Sequence, residues 1–271
     1  MRLLVGRSLT LLNTIVPTRR VILLGASNLV RSFPTIVEIV RRTWSEPIEI
    51  LVAMGHGRSY GRDSEVLGRK ISGIFPCALW RDLQNRAPLP TMALITDIGN
   101  DFLYGVTPER LFEWVAGCLD RLGDAGAATT IARLPIESLE RLGERRFQFF
   151  RRLLFPRSKI TLFDALQFAR AMNEELNKAG DTRKISVISA SAKWYGFDPI
   201  HIRRRDARVA WPEMLSGWRT GSESIAPVVA PLLTTAYLAT LSPLEYSRFG
   251  FARRCAQPAA RFFDGTTISL Y

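Results

Sequence analysis

The sequence is short of the residues that hold small disulfide-bonded or metal-binding proteins together. Its 271 residues include only three cysteines and two histidines. The cysteines, Cys77, Cys118 and Cys255, are odd in number and far apart. They therefore indicate neither a disulfide framework nor a zinc site. We expect Cys118, which falls in a helical pattern, to be a small core residue.

Long hydrophobic runs are also missing. The uncharged stretch 225–241 is interrupted by Pro227 and Pro231 and is short for a bilayer span. We expect it to form a buried helix of a C-terminal subdomain. Residues 1–16 are apolar, but Arg7 and Asn13 interrupt them and no Ala-x-Ala cleavage site follows. We therefore expect a short N-terminal extension and a cytoplasmic protein.

Acidic residues are scarce, at 25 against 37 lysines and arginines, which leaves a formal net charge of +12. This surplus favours anionic partners. The basic residues are scattered, however, and no nucleic-acid-binding signature accompanies them, so no nucleic-acid partner is expected. In 145–157, arginine alternates with phenylalanine and leucine, which suits a solvated basic face over packed aromatics better than a membrane contact. The sequence does not define the oligomeric state.

Five segments of buried-strand character alternate with helical patterns. These predicted strands are 21–24, 48–53, 92–96, 129–134 and 185–189. Such alternation predicts an α/β fold, a parallel sheet with helices on both faces. The chain is long enough to bury a sizeable core. We expect an N-terminal extension over 1–18, a main domain over 19–217, and a C-terminal extension over 218–271 that packs on the domain or at a subunit contact.

Residues of catalytic type follow several of these strands, where ligands bind in parallel sheets. Ser27 follows the first strand, and Asp198 and His201 follow the fifth. A serine hydroxyl becomes a nucleophile when an imidazole takes its proton, and the imidazole needs a carboxylate to orient it. Asp198 and His201 are three residues apart, close enough to meet across one turn. The other interpretations are a helix cap for Ser27 and a core or surface histidine for His201.

Candidate oxyanion donors follow the second and third strands. A tetrahedral intermediate needs hydrogen-bond donors, which the N–H groups of Ser27 and Gly57 and the amide of Asn100 can supply. Gly55 is an alternative to Gly57, and either glycine can simply serve a turn. Asn100 is likewise a common turn residue. His56 lacks an acidic neighbour three residues away, so we expect it to line the site without acting as the base.

Two further acids in this region, Asp97 and Asp101, are interpreted as structural. They flank Asn100 in the loop after the third strand. Short acidic side chains in such loops accept hydrogen bonds from backbone N–H groups or cap the following turn. We therefore give them no part in the chemistry.

Four short segments of the sequence resemble the four ordered sequence blocks that define the SGNH hydrolases, also called GDSL esterases and lipases. The matching segments are Gly25-Ala26-Ser27-Asn28-Leu29, Gly57, Gly99-Asn100-Asp101 and Asp198-Pro199-Ile200-His201. The resemblance implies Ser27 as nucleophile, His201 as base, Asp198 as its orienting acid, and Ser27, Gly57 and Asn100 as oxyanion donors. It also implies a three-layer flavodoxin-like fold whose five parallel strands have the order 2-1-3-4-5.

Two features depart from the family pattern. Ala26 stands where the first block has an aspartate, so the serine loop must be supported from elsewhere, and the chain continues from 202 to 271 after His201. With these departures noted, we expect a serine esterase that cleaves a small-molecule or carbohydrate ester or thioester without a metal or organic cofactor. A carbohydrate O-acyltransferase with the same three residues and a non-catalytic binding or scaffold protein are the alternatives.

Overall fold

The structure is a computed structural model that describes residues 16–44, 46–154, 158–218 and 226–271. Most of the predicted N-terminal extension and the segment 219–225 lie outside the described residues. The strands are β1 Arg19–Leu24, β2 Ile48–Ala53, β3 Ser64–Val66, β4 Arg69–Ile71, β5 Thr91–Ile95, β6 Ala128–Ala132, β7 Ser186–Ile188, β8 Glu245–Arg248, β9 Phe251–Arg254, β10 Ala260–Arg261 and β11 Thr267–Leu270. The helices are α1 Ser27–Thr43, α2 Leu79–Gln84, α3 Asn100–Leu103, α4 Pro108–Asp124, α5 Ile136–Glu140, α6 Glu144–Leu154, α7 Leu162–Arg183, α8 Arg204–Met214 and α9 Leu232–Ala239.

The central sheet has the strand order β10-β11-β2-β1-β5-β6-β7. All its neighbouring pairs are parallel except β10 with β11. The five predicted strands occupy β2-β1-β5-β6-β7, so the predicted order 2-1-3-4-5 is confirmed. The sheet is two strands wider than predicted, because β11 from the C-terminal segment pairs with β2.

The sheet is covered by helices on both faces, as the unbroken apolar sequence of β1 requires. Because strand side chains alternate between faces, Val21 and Leu23 join a core cluster with residues of α1 and α8. Ile22 and Leu24 join the opposite cluster, with residues of α4 and α7. Cys118 lies fully buried in that second cluster, as predicted.

The two longest helices of the first 200 residues outside α1 have clear start signals. Thr107 caps α4 by accepting a hydrogen bond from the Arg110 N–H at 3.4 Å, with Pro108 in the first turn. A capping box at Thr161 starts α7, which continues to Arg183. The arginine- and phenylalanine-rich segment forms α6 up to Leu154, and residues 155–157 lie outside the described residues.

The C-terminal segment differs from its prediction. In place of one buried helix over 225–241, the shorter α9 exposes most of its surface, and Leu238 is its one fully buried residue. Leu238 is the residue by which α9 joins the core cluster that contains α1. Pro227 and Pro231 precede the helix and keep it from starting earlier. The chain then supplies β8 and β9, which join β3 and β4 in a separate antiparallel sheet of order β3-β4-β8-β9. In the part of the chain described here, every helix is too short or too polar to span a bilayer.

Candidate active site

Three of the predicted site residues lie in one hydrogen-bonded chain. Ser27 is the first residue of α1, directly after the turn that ends β1. The Nε2 atom of His201 lies 2.8 Å from Ser27 Oγ, and its Nδ1 atom lies 2.6 Å from Asp198 Oδ2. The fold thus joins residues 174 positions apart. A hydroxyl, an imidazole and a carboxylate in this sequence can transfer a proton away from the hydroxyl.

The groups around this series of hydrogen bonds keep the Asp198 carboxylate ionised. Partial burial alone would raise the pKa of Asp198, but the hydrogen bond and charge of His201, the Ile200 N–H and Arg31 lower it below its ordinary value. Arg31 lies on α1, one turn after Ser27, and its Nη1 is 3.6 Å from Asp198 Oδ2. Since the Asp198 side chain is 35% exposed, the contribution of Arg31 is screened by solvent.

His56 lies near His201 but takes no part in the hydrogen bonds that join Ser27, His201 and Asp198. Burial lowers the pKa of His56, and the charges of His201 and Arg31 lower it further. A neutral imidazole is therefore favoured at this position. This agrees with its predicted place beside the site.

Asp97 supports the serine loop that lacks the usual aspartate at position 26. Its Oδ2 accepts hydrogen bonds from the N–H groups of Ala26 at 2.9 Å and Leu29 at 3.0 Å. Asp97 has a φ of +59°, a left-handed conformation that aspartate tolerates better than most residues. The turn before Ser27 also needs Gly25, because a Cβ there would lie 2.7 Å from Thr96 Cγ2. The structural role predicted for Asp97 is thus confirmed.

Asn28 joins the serine loop to the loop that carries His201. Its Nδ2 donates to Asp97 Oδ1 at 2.8 Å and to the carbonyl of Ile200 at 2.9 Å. Its Oδ1 accepts from the N–H of Ile202 at 2.9 Å. The bonds to Ile200 and Ile202 hold the backbone on both sides of His201, and the bond to Asp97 joins the amide to the support of the serine loop. Asn28 was missed as a functional residue, because nothing local in the sequence signals contact with residues 172 and 174 positions away.

Asn100 lines a cavity of about 120 Å³ together with Ser27. Within the described residues, its Nδ2 is buried and has no hydrogen-bond partner. A buried amide donor without a partner is unusual, since burial without a hydrogen bond costs free energy. The rest of the wall is mainly apolar and includes Phe102, Leu134, Phe147 and Met214. This space is called the apolar cavity below.

The structure holds the glycine loop in place without selecting between its two candidate donors. Gly57 has a φ of +61°, and its carbonyl accepts a hydrogen bond from the Tyr104 hydroxyl at 2.6 Å. Gly55 lines a second cavity. The assignment of an oxyanion role to Gly57, with Gly55 as the alternative, stays a prediction.

Asp101 anchors this glycine loop to the loop that carries Asn100. Its carboxylate accepts hydrogen bonds from the Tyr60 N–H at 2.9 Å and from the Ser59 hydroxyl. Burial raises the pKa of Asp101, while these hydrogen bonds act in the opposite direction. The Tyr60 hydroxyl in turn donates to the Thr96 carbonyl at 2.6 Å. Asp101 therefore has the structural role predicted for it. Over the described ranges, no group of three or more His, Cys, Asp or Glu side chains is arranged to hold a metal ion.

Comparison with solved structures shows similarity of fold. One crystal structure matches with a TM-score of 0.52 at 12% identity, over 74% of this chain and 97% of the other. Two further matches are a carbohydrate acetylesterase family member from Sinorhizobium meliloti (TM-score 0.48, 15% identity, 74% and 96% covered) and the psychrotrophic esterase EstA from Pseudoalteromonas sp. (0.46, 11%, 73% and 97%). No protein-family model and no curated protein matches the sequence. The predicted flavodoxin-like α/β fold is thus confirmed, and the resemblance to the SGNH hydrolases stays a prediction.

Proposed function

We propose that this protein is a serine esterase that cleaves an ester or thioester through an acyl-enzyme. The observation that carries the proposal is the chain from Ser27 Oγ through both nitrogens of His201 to Asp198, with distances of 2.8 and 2.6 Å. Each partner is the residue type that its step needs. Serine supplies the nucleophile, histidine takes and returns the proton, and an ionised aspartate stabilises the imidazolium.

In the acylation half, Ser27 Oγ attacks the carbonyl carbon while its proton moves to His201 Nε2. The tetrahedral intermediate then collapses, the bond to the alcohol or thiol breaks, and His201 returns the proton to that leaving group. In the second half, His201 takes a proton from water, the resulting hydroxide attacks the acyl-serine, and Ser27 regains its proton as the acid leaves. No redox step or cofactor enters this balance.

Charge that develops on the carbonyl oxygen is stabilised by donors already in position. Asn100 lines the same cavity as Ser27, and its buried Nδ2 has no hydrogen-bond partner among the described residues, which supports its proposed oxyanion role. Ser27 begins α1, and the first N–H groups of a helix have no partner within the helix and carry partial positive charge. We assign the Ser27 N–H, the Asn100 amide and the Gly57 N–H to this role.

The apolar cavity suits the acyl part of the substrate. Most of its lining side chains are aliphatic or aromatic, with Ser27, Asn100 and a few other polar residues such as Asp97 and Arg133 among them. The apolar part of the wall binds an alkyl chain by the hydrophobic effect. The carbonyl carbon of the substrate then lies beside Ser27, and its alkyl chain lies in the apolar cavity.

A series of p-nitrophenyl esters of rising acyl length, run beside acetylated sugars, tests the proposal. We expect turnover of at least one acyl length and loss of that turnover in Ser27→Ala. Transfer of the acyl group to an added sugar, in preference to water, would replace the esterase with an acyltransferase of the same chemistry. Absence of turnover across both substrate sets, with folded protein, would contradict the proposal.

A further inference from the structure

A second and larger cavity of about 660 Å³ lies between α1, α9 and the antiparallel sheet. Its cationic lining residues are Arg31, Arg69 and Arg248, its other titratable ones are His56, Tyr246 and Tyr271, and no Asp or Glu lines it among the described residues. The cavity is therefore positively charged. Many other arginines of the protein are paired with acidic side chains. This space is called the basic cavity below.

One wall of the basic cavity is a single face of the antiparallel sheet. Strand residues alternate between faces, and the lining residues of this sheet are the alternate ones: Ser64, Val66, Arg69, Ile71, Tyr246 and Arg248. In the β4–β8 ladder, Arg69 and Arg248 are directly opposite each other. Both side chains therefore leave the same face of the sheet, the face that lines the cavity.

Two like charges directly opposite in an antiparallel pair are destabilising. Within the described residues, neither arginine has an acidic partner in an ion pair: Arg69 stacks on the Tyr246 ring at 4.6 Å, and Arg248 lies over Phe249 at 5.7 Å. An anion between the two guanidinium groups would offset their repulsion. Guanidinium groups bind carboxylate and phosphate oxygens through several N–H donors at once.

The basic cavity also adjoins the proposed reaction centre. Arg31 lines the cavity and lies 3.6 Å from Asp198, and His56 lines it and interacts electrostatically with His201. Because His201 protonates the departing alcohol, that alcohol must lie on the side of Ser27 that His201 faces. The apolar cavity then holds the acyl part, and the basic cavity lies where the alcohol part extends.

We propose that the basic cavity binds an oxyanion, a carboxylate or a phosphate, on the alcohol part of the ester, through Arg69 and Arg248. This inference rests on the proposed esterase function for its orientation. The anion lies between the paired guanidinium groups, and the uncharged part of the alcohol contacts Tyr246 and the side of α1. The substrate class is an ester whose acyl group is apolar and whose alcohol is anionic.

A matched pair of substrates tests this inference at low salt. In 4-acetoxybenzoate the alcohol part carries a carboxylate, and in 4-acetoxybenzamide it carries a neutral amide of similar size. The measured quantity is the ratio of kcat/KM for the first to kcat/KM for the second. We expect Arg69→Gln and Arg248→Gln each to lower this ratio about fivefold, as partly exposed charges do. Added salt should lower it in the wild type as well.

Arg254→Gln is the control. It removes an equal charge from the other face of the same sheet, where Arg254 lies 3.9 Å from Glu245. Its substrate ratio should stay that of the wild type. Equal ratios in all three variants, with thermal unfolding showing that each is folded, would overturn the inference.

Binding of inorganic phosphate to Ser27→Ala, followed by calorimetry, gives a measurement independent of turnover. We expect Arg69→Gln in that background to weaken phosphate binding and Arg254→Gln to leave it unchanged. Phosphate binding through Arg69 without any esterase activity would support the anion site and contradict the proposed reaction. Phosphate binding that ignores Arg69 and Arg248 would overturn the anion site.

Discussion

The apolar cavity and the basic cavity adjoin the same reacting residues but are built from different parts of the chain. The first, of about 120 Å³, is walled by loops at the carboxyl ends of the parallel strands and by α7 and α8. The second, of about 660 Å³, takes one wall from short antiparallel strands, two of them in the C-terminal segment. In the proposed reaction, the first binds its part of the substrate by apolar burial and the second by charge. We therefore propose that the parallel sheet provides the reacting residues and that the C-terminal segment selects the substrate.

Replacing the nucleophile or the base should abolish activity on substrates of both cavities alike. For Ser27→Ala and His201→Ala we expect kcat to fall about 10³-fold or more on every ester, whichever cavity it fills. His56→Ala should lose less than about tenfold, because His56 lacks an acidic partner. Initial rates with p-nitrophenyl and acetoxybenzoate substrates measure all three. Equal losses for both histidine variants would contradict the assignment of His201.

A substitution in the apolar cavity should lower the rate without changing the preference for a charged over a neutral alcohol part. Asn100→Ala should lower kcat about 10²-fold with little change in KM, because the amide donor acts mainly in the transition state. The ratio of rates for 4-acetoxybenzoate and 4-acetoxybenzamide should stay constant. Asn85→Ala is the control, because the Asn85 side chain bonds the carbonyl of Arg81 on α2 and lines neither cavity. A large rise in KM alone would argue against the oxyanion role.

The residue that supports the serine loop should affect both rate and stability. Asp97→Asn replaces a carboxylate that accepts two backbone N–H bonds. We expect a loss of about 1–3 kcal/mol in the free energy of unfolding and of at least about tenfold in kcat. Urea unfolding beside initial rates checks both. The exposed Asp181→Asn should change neither, and an unchanged Asp97→Asn would show that the loop holds its shape unaided.

Asn28 should be needed for alignment and not for binding. Asn28→Ala removes the bonds to Ile200 and Ile202 on either side of His201. We expect kcat to fall about tenfold for both substrates of the matched pair, with KM within about twofold. Asn28→Asp keeps the acceptor for the Ile202 N–H but places a carboxylate oxygen against Asp97 and the Ile200 carbonyl, so it should not recover the rate. A change in KM alone would instead place Asn28 in substrate binding.

The smallest effect should come from narrowing the apolar cavity. Ala165 lines it from α7, so Ala165→Leu should lower activity on butyrate relative to acetate esters about fivefold. Ala171→Leu, on the same helix and outside the cavity, serves as the control. An unchanged acyl preference in Ala165→Leu would indicate that the acyl chain lies elsewhere, and the comparison of the two cavities would then fail.

Much of the parallel sheet can be predicted because its strands are buried on both faces and read as continuous apolar runs, as in Val21–Leu24. The order of catalytic-type residues after those strands follows from the same pattern. The antiparallel sheet was missed, since β3, β4, β8 and β9 are three or four residues long and rich in charge, as in Phe251–Arg254. The strand β11 was missed because nothing local shows that Thr267–Leu270 pairs with β2.

The contacts that hold the candidate site are similarly beyond local pattern. The missing aspartate at position 26 indicates that the serine loop needs another support, but not that Asp97 supplies it. The bond between Asn28 and the His201 loop, and the pairing of Arg69 with Arg248, join segments more than 170 positions apart. Only the folded chain brings them together.

The central claim is that Ser27 is a nucleophile activated by His201, and covalent labelling tests it most directly. The folded protein is treated with a fluorophosphonate, and the modified peptide is identified by mass spectrometry. We expect one adduct per chain on Ser27, absent from Ser27→Ala and strongly reduced in His201→Ala. Folded wild-type protein that stays unlabelled, or an adduct on another residue that persists in Ser27→Ala, would contradict the claim.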